Sequence, residues 1–99
     1  MNIIKNKEAD VLNIKVEGRL DTVTSPELEA SLGEESLGTK VVFDMSDLEY
    51  ISSAGLRVLL SAQKKAIAEG GEMIVKGCQE AVLDVFDVTG FADILTIEK

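Results

Sequence analysis

Histidine is absent from the 99-residue chain, and cysteine occurs once. Without histidine there is no Ser-His-Asp relay, no Cys-His pair and no histidine-containing zinc site, which removes most hydrolase chemistry. Cys78 alone makes neither an internal disulfide nor a metal site, so the chain fits a reducing compartment. We read Cys78 as a small, partly buried residue at a strand exit. No apolar run approaches the roughly 18 residues of a membrane span, and Met1 to Glu8 lack the apolar core of a signal peptide. The expected location is therefore cytoplasmic. Runs of lysine and arginine are missing too: 18 acidic against 10 basic residues give a formal net charge of −8. Nucleic acid and anionic membrane both need a basic footprint, so neither is expected as a direct partner.

Phosphate-transfer and metal chemistry are also poorly provided for. Ser52-Ser53-Ala54-Gly55-Leu56-Arg57 has neither the spaced glycines nor the lysine of a P-loop. Asp44, Asp47 and Glu49 share one turn with no second ligand cluster, which supports neither a metal site nor a glycosidase. No catalytic residue, no metal and no cofactor is expected.

What is there is a core: 45% of the chain is hydrophobic. A domain of this size buries about two-thirds of its extended surface on folding, and residues 1–99 leave no room for a second. A short apolar segment at residues 2–5 precedes Val11-Leu12-Asn13-Ile14-Lys15-Val16-Glu17, where Leu12, Ile14 and Val16 alternate with polar neighbours. This predicts a half-exposed strand hairpinned to the first segment, with its exit at Gly18-Arg19-Leu20-Asp21-Thr22. Thr24-Ser25-Pro26-Glu27 supplies a cap, a proline at the first helical position and an acid in the first turn, so a short helix is predicted over residues 26–32, buried through Leu28 and Leu32. Gly33 through Gly38 reads as its exit and a loop.

Residues 40–44 form a β-branched apolar strand without alternation, which predicts burial on both faces of a partly parallel sheet. A polar turn then leads to a helix over residues 53–69. Leu56, Leu59, Leu60, Gln63 and Ile67 mark its expected core stripe, with Ala54, Val58, Ala62 and Ala66 beside it and Lys64 and Lys65 on the wet side. Gly70-Gly71 ends it. A strand at residues 72–76, a helix at 79–88 with Val82, Val85, Phe86 and Thr89 on one face, a stop at Gly90 and a last strand at 94–97 complete the chain. The order is a hairpin followed by strand-helix alternation, an α/β fold with a mixed sheet and helices packed against it.

Two serines stand where the turn enters the long helix, and the first amides of a helix lack internal partners and favour an anion. Either hydroxyl would cap the helix; a phosphate carried on Ser53 would suit the same place. A phosphoserine adds about −1.5 to −2 charge, which the fold tolerates there but a docked partner does not, beside Asp21, Asp44 and Asp47. Met45 and Leu48, if exposed nearby, would anchor a partner, whereas Tyr50 and Ile51 read as packing residues.

Three separated stretches carry a resemblance: the turn from Asp44 to Arg57, the strand exit Gly18-Arg19-Leu20-Asp21, and Phe86-Asp87-Val88-Thr89-Gly90-Phe91. In this order and separation they resemble a STAS domain, and more narrowly the stand-alone anti-sigma-factor antagonists of bacterial partner-switching systems. The resemblance spans essentially the whole chain. It implies that the unphosphorylated chain binds an anti-sigma factor with serine-kinase activity and releases the sigma factor. It further implies that phosphorylation of a helix-start serine ends the binding and that a PP2C-type phosphatase resets it. The implied acceptor is Ser53, with Ser52 as the second choice. Asp21 is implied to lie beside it, and Ala54, Gly55, Leu56 and Arg57 to form, with Ser52 and Ser53, the surface that meets the partner. Ser52 stands where such antagonists usually carry an aspartate, and Arg57 where a glycine is frequent. The alternative is an unmodified STAS subunit of a lipid- or anion-transport complex. The expected state is a monomer in transient complexes.

Overall fold

In the computed structural model, which describes residues 1–35 and 37–98, six strands form one mixed sheet. β1 (Asn2–Glu8) and β2 (Val11–Leu20) are followed by α1 (Ser25–Gly33), β3 (Lys40–Asp44), β4 (Leu48–Ile51) and α2 (Ser53–Ala68). β5 (Glu72–Lys76), α3 (Glu80–Thr89), a 3-10 turn (Phe91–Asp93) and β6 (Ile97–Glu98) complete it. Of the loop expected from Gly33 to Gly38, Ser36 lies outside the described residues, as does Lys99.

β1 and β2 pair antiparallel from Asn2↔Glu17 to Glu8↔Val11, so the loop is Ala9-Asp10 alone, and Ala9 sits in the left-handed region at φ 52°. All other pairs are parallel, in the order β1-β2-β3-β5-β6. β2 outlasts β3. Its first half pairs with β3, from Val11↔Lys40 to Lys15↔Asp44, and its last residues pair with β4, from Gly18↔Leu48 to Leu20↔Ile51. β3 and β4 thus run end to end along one side of β2, separated by the turn at Met45-Ser46-Asp47.

The predicted order omits β4, and the reason is physical. Leu48-Glu49-Tyr50-Ile51 has no alternating pattern, and it is extended because the end of β2 needs hydrogen-bond partners that β3 is too short to supply. Elsewhere the expectations hold closely. Leu12, Ile14 and Val16 are buried, as are Leu28 and Leu32 on α1. Val41, Val42 and Phe43 are buried on both faces of β3: Val41 and Phe43 belong to the main core, and the pleat turns Val42 the other way. The last strand, expected over 94–97, is only Ile97–Glu98: the Ile94 and Leu95 amides fold back onto the Phe91 carbonyl at 3.0 and 2.9 Å, which continues the turn begun at Phe91–Asp93 and delays the strand.

α2 is rotated relative to its predicted stripe. Its buried residues are Gly55, Leu56, Val58, Leu59, Ala62 and Ala66, whereas Ile67 is 66% exposed. Small side chains let the helix approach the sheet, so the alanine row joins the core and the Leu60-Ile67 edge turns outward. Lys65, expected on the wet side, is half-buried. Its ammonium donates to the carbonyls of Leu32 (3.5 Å) and Glu35 (3.0 Å), placing a cation at the negative end of α1. Among the described residues, no helix is long and apolar enough to cross a membrane.

Candidate functional site

β2 and β4 end side by side, with Leu20 in register with Ile51, and each leads directly into a helix. The Ser52 amide donates to the Leu20 carbonyl at 2.8 Å, which extends the pairing past the strands and sets Asp21 next to Ser52 along the chain ends. The carboxyl ends of parallel strands are where α/β sheets place their sites, because the chain turns there and helix N-termini converge.

The two serines are separated by role. Ser52 is the N-cap of α2, in extended backbone, and its Oγ accepts from the Gly55 amide at 3.4 Å. Its carbonyl accepts from the Leu56 amide at 3.0 Å. Ser53 is the first helical residue; it is exposed, and its hydroxyl makes no hydrogen bond among the described residues. The first turn of α2 carries no acid, so the helix itself brings no carboxylate to its positive end. A hydroxyl that is free, exposed and set over unpaired amides is chemically the most accessible nucleophile of the site.

Beneath it the packing is tight. A Cβ on Gly55 would lie 2.8 Å from Leu20 Cγ and 2.9 Å from Ile51 Cγ1, so only glycine lets the helix start rest on both strand ends. Gly55 is buried and Leu56 is 3% exposed. Of the stretch implied to meet a partner, these two therefore support the surface from below, Ala54 is half-buried, and Ser53 and Arg57 stand on the surface itself.

Asp21 is bound into its own turn. One carboxylate oxygen accepts the amides of Val23 and Thr24, both at 3.0 Å, and the Thr24 hydroxyl lies 3.1 Å from it. The Thr24 amide above all, and then the Val23 amide, hold the carboxyl below the usual aspartate range. Asp21 is thus a fixed negative charge at the rim, with no hydrogen bond to either serine among the described residues. α1 starts at Ser25, one residue earlier than predicted, which makes Thr24 its N-cap, but the Thr24 hydroxyl makes no cap bond; it donates to the Arg19 carbonyl at 2.7 Å and accepts the Asp21 amide at 2.9 Å.

Two expectations about the surroundings are corrected. Met45 and Leu48 are fully buried, because the turn between β3 and β4 folds inward to let both strands follow β2, so neither anchors a partner. Asp44 and Asp47 do not crowd the serines: Asp44 faces Lys15 on β2, and Asp47 pairs with Lys15 at 2.9 Å. Lys15 precedes Leu20 by five residues, about 16 Å along the strand. Of these three aspartates, Asp21 is the one at the serine end.

The exposed apolar groups beside the serines are others. Tyr50, expected to pack inside, is 40% exposed and lies under Arg19, whose guanidinium is 4.3 Å from the ring centroid. Val23 is 77% exposed in the turn after Asp21. The Arg19-Tyr50 stack depends on the β2-β4 pairing, so no local sequence signal points to it. On the other side, an open groove of about 350 Å³ runs between α1 and α2, lined by Thr22, Ser25, Glu29, Ala54 and Arg57 among others. Cys78, by contrast, is half-buried at the exit of β5, where burial pushes its thiol up to about 11. This is the structural role read from the sequence.

Comparison with known proteins agrees with this architecture. The STAS domain family model matches residues 2–99. The anti-sigma-B factor antagonist of Listeria monocytogenes is 29% identical over 104 residues, covering 100% of this chain and 91% of that protein. The crystal structure of an anti-sigma factor antagonist from Mycobacterium paratuberculosis superposes with a TM-score of 0.82 at 24% identity, covering 97% of this chain and 83% of that one. The antagonist SpoIIAA in its unphosphorylated form gives 0.76 at 16% identity, over 99% and 88% of the two chains. The Bacillus cell fate determinant SpoIIAA in the phosphorylated form gives 0.74 at 16%, over 99% and 92%. With the family model running along this hairpin and these strand-helix units from end to end, the chain belongs to the STAS domain family.

Proposed function

We propose that the chain is an anti-sigma-factor antagonist of a partner-switching system. In its unphosphorylated form it binds an anti-sigma factor that is also a serine kinase, and so releases a sigma factor in the cytoplasm. Phosphorylation at Ser53 ends the binding, and a PP2C-type phosphatase restores it. The observation that carries this reading is the exposed Ser53 hydroxyl, unbonded at a helix start whose capping is already done by Ser52. The relatives support it, being named antagonists of anti-sigma factors, one of them solved in both unphosphorylated and phosphorylated forms.

The switch works without refolding. The phosphate adds about −1.5 to −2 charge over amides that tolerate it. A partner surface fitted to a neutral hydroxyl then meets a desolvated dianion beside the fixed charge of Asp21, and like-charge juxtaposition of this kind costs several kcal/mol. Val23 and the Arg19-Tyr50 stack supply the exposed contact area on the same side.

The test is the intact mass after incubation with ATP and the ATP-binding regulator encoded nearest the gene. One phosphate is gained, and the gain disappears in Ser53→Ala. A gain that persists there but is lost in Ser52→Ala overturns the acceptor assignment. Co-purification with transport-complex subunits and no phosphate supports the transport reading instead. Ser53→Asp is expected to weaken regulator binding while shifting the melting temperature by only a few degrees, the equivalent of about 1 kcal/mol at this size.

A further inference from the structure

Arg57 has no role that the fold itself assigns. It is exposed at the start of the second turn of α2, on the side of the helix where a cation gains nothing from the dipole. It forms none of the ion pairs found among the described residues. The charged groups around it are committed or unengaged: Glu29 lines the same groove from α1 without pairing to it, Asp21 is tied to the Val23 and Thr24 amides, and Arg19 lies over Tyr50. What does stand within reach is Ser53. Residues four apart on a helix are surface neighbours, with Cβ atoms about 5–6 Å apart. A guanidinium meets a phosphate through parallel, charge-assisted hydrogen bonds, and the open groove leaves the arginine free to swing.

We propose that Arg57 is a two-position arm: in the unmodified chain its free guanidinium reaches a carboxylate of the regulator, and when Ser53 carries a phosphate it folds back one turn to pair with it. The proposal rests on Ser53 as the acceptor. In the modifying step the γ-phosphoryl group of ATP moves to Ser53 Oγ, ADP leaves with the bridging oxygen, and the hydroxyl proton is released. One event then alters the docking face twice in the same direction. It adds a dianion where the partner must approach, and it withdraws a cation that the partner used.

The experiment places phosphoserine at position 53 by genetic encoding, so that its result does not depend on whether any kinase selects that residue. A ³¹P NMR titration follows the second phosphate ionisation in the wild type, in Arg57→Gln and in Arg57→Lys. The wild-type value is expected to lie below that of Arg57→Gln by about half a unit or more, with Arg57→Lys between them and the differences shrinking in high salt. Superimposable titrations overturn the folded-back position. In the unmodified chain, Arg57→Gln is expected to weaken regulator binding several-fold at an unchanged melting temperature, and unchanged binding overturns the extended position. Failure of the intact-mass experiment removes Ser53 as acceptor while leaving the ³¹P result standing, so the two failures are distinct.

Discussion

At Gly55 the helix start lies so close to Leu20 and Ile51 that a single methyl group has nowhere to go. Gly55→Ala gains helix propensity of about 1 kcal/mol but overpacks a corner where both neighbours are buried, a cost of about 1–3 kcal/mol. A net loss of up to about 2 kcal/mol is expected, measured by urea denaturation with an unchanged slope. A stabilised variant would mean that the helix lifts off the strand ends without penalty. The serines beside this glycine were legible from local rules, since hydroxyls before a helical pattern are caps. Which one caps was not legible; it follows from Ser52 lying extended, in line with the end of β4. Tyr50 and Arg19 were opaque for a different reason: their stacking is created by a strand pairing between segments thirty residues apart, with a bulge between Gly18 and Arg19 that shifts the register.

Elements were readable where their pattern is set within the chain and unreadable where neighbours set it. The β1-β2 hairpin and the two longer helices follow from their own periodicity, and β3 and β5 from short β-branched apolar runs. β4 exists only because β2 continues beyond β3, and the rotation of α2 is decided by how closely alanines at 62 and 66 approach the sheet. The hairpin also carries a local conflict. Ala9 adopts φ 52° in a two-residue loop, a conformation that costs a non-glycine residue roughly 1–2 kcal/mol and that asparagine accepts more readily. Ala9→Asn is expected to raise stability by about 0.5 kcal/mol, seen as an increase of a few degrees in melting temperature. A decrease would show that the left-handed position carries no strain.

For the molecule as a whole, two carboxylates held low in the folded state set the acid limit. Asp21 is lowered chiefly by the Thr24 amide, and Asp44 chiefly by the Ser46 amide, with Lys15 and Lys76 adding to it. Folded values depressed below the unfolded ones contribute stability that is fully present above about pH 4 and is lost as pH falls through the folded values. The melting temperature is therefore expected to drop below about pH 4. The double variant Asp21→Asn/Asp44→Asn should start lower at pH 7 and converge with the wild type in acid; parallel curves would show that neither carboxylate is linked to folding. One arrangement has a wider consequence. β2 is held by three neighbours, β1, β3 and β4, and the Leu20 carbonyl at its end accepts from the residue that caps α2. The backbone of the corner proposed for docking is thus fastened to the most heavily braced strand and arrives already in its final shape. Little conformational entropy remains to be lost on contact, so the pace of encounter is governed by charge and diffusion, and partner exchange can be quick without the site ever loosening.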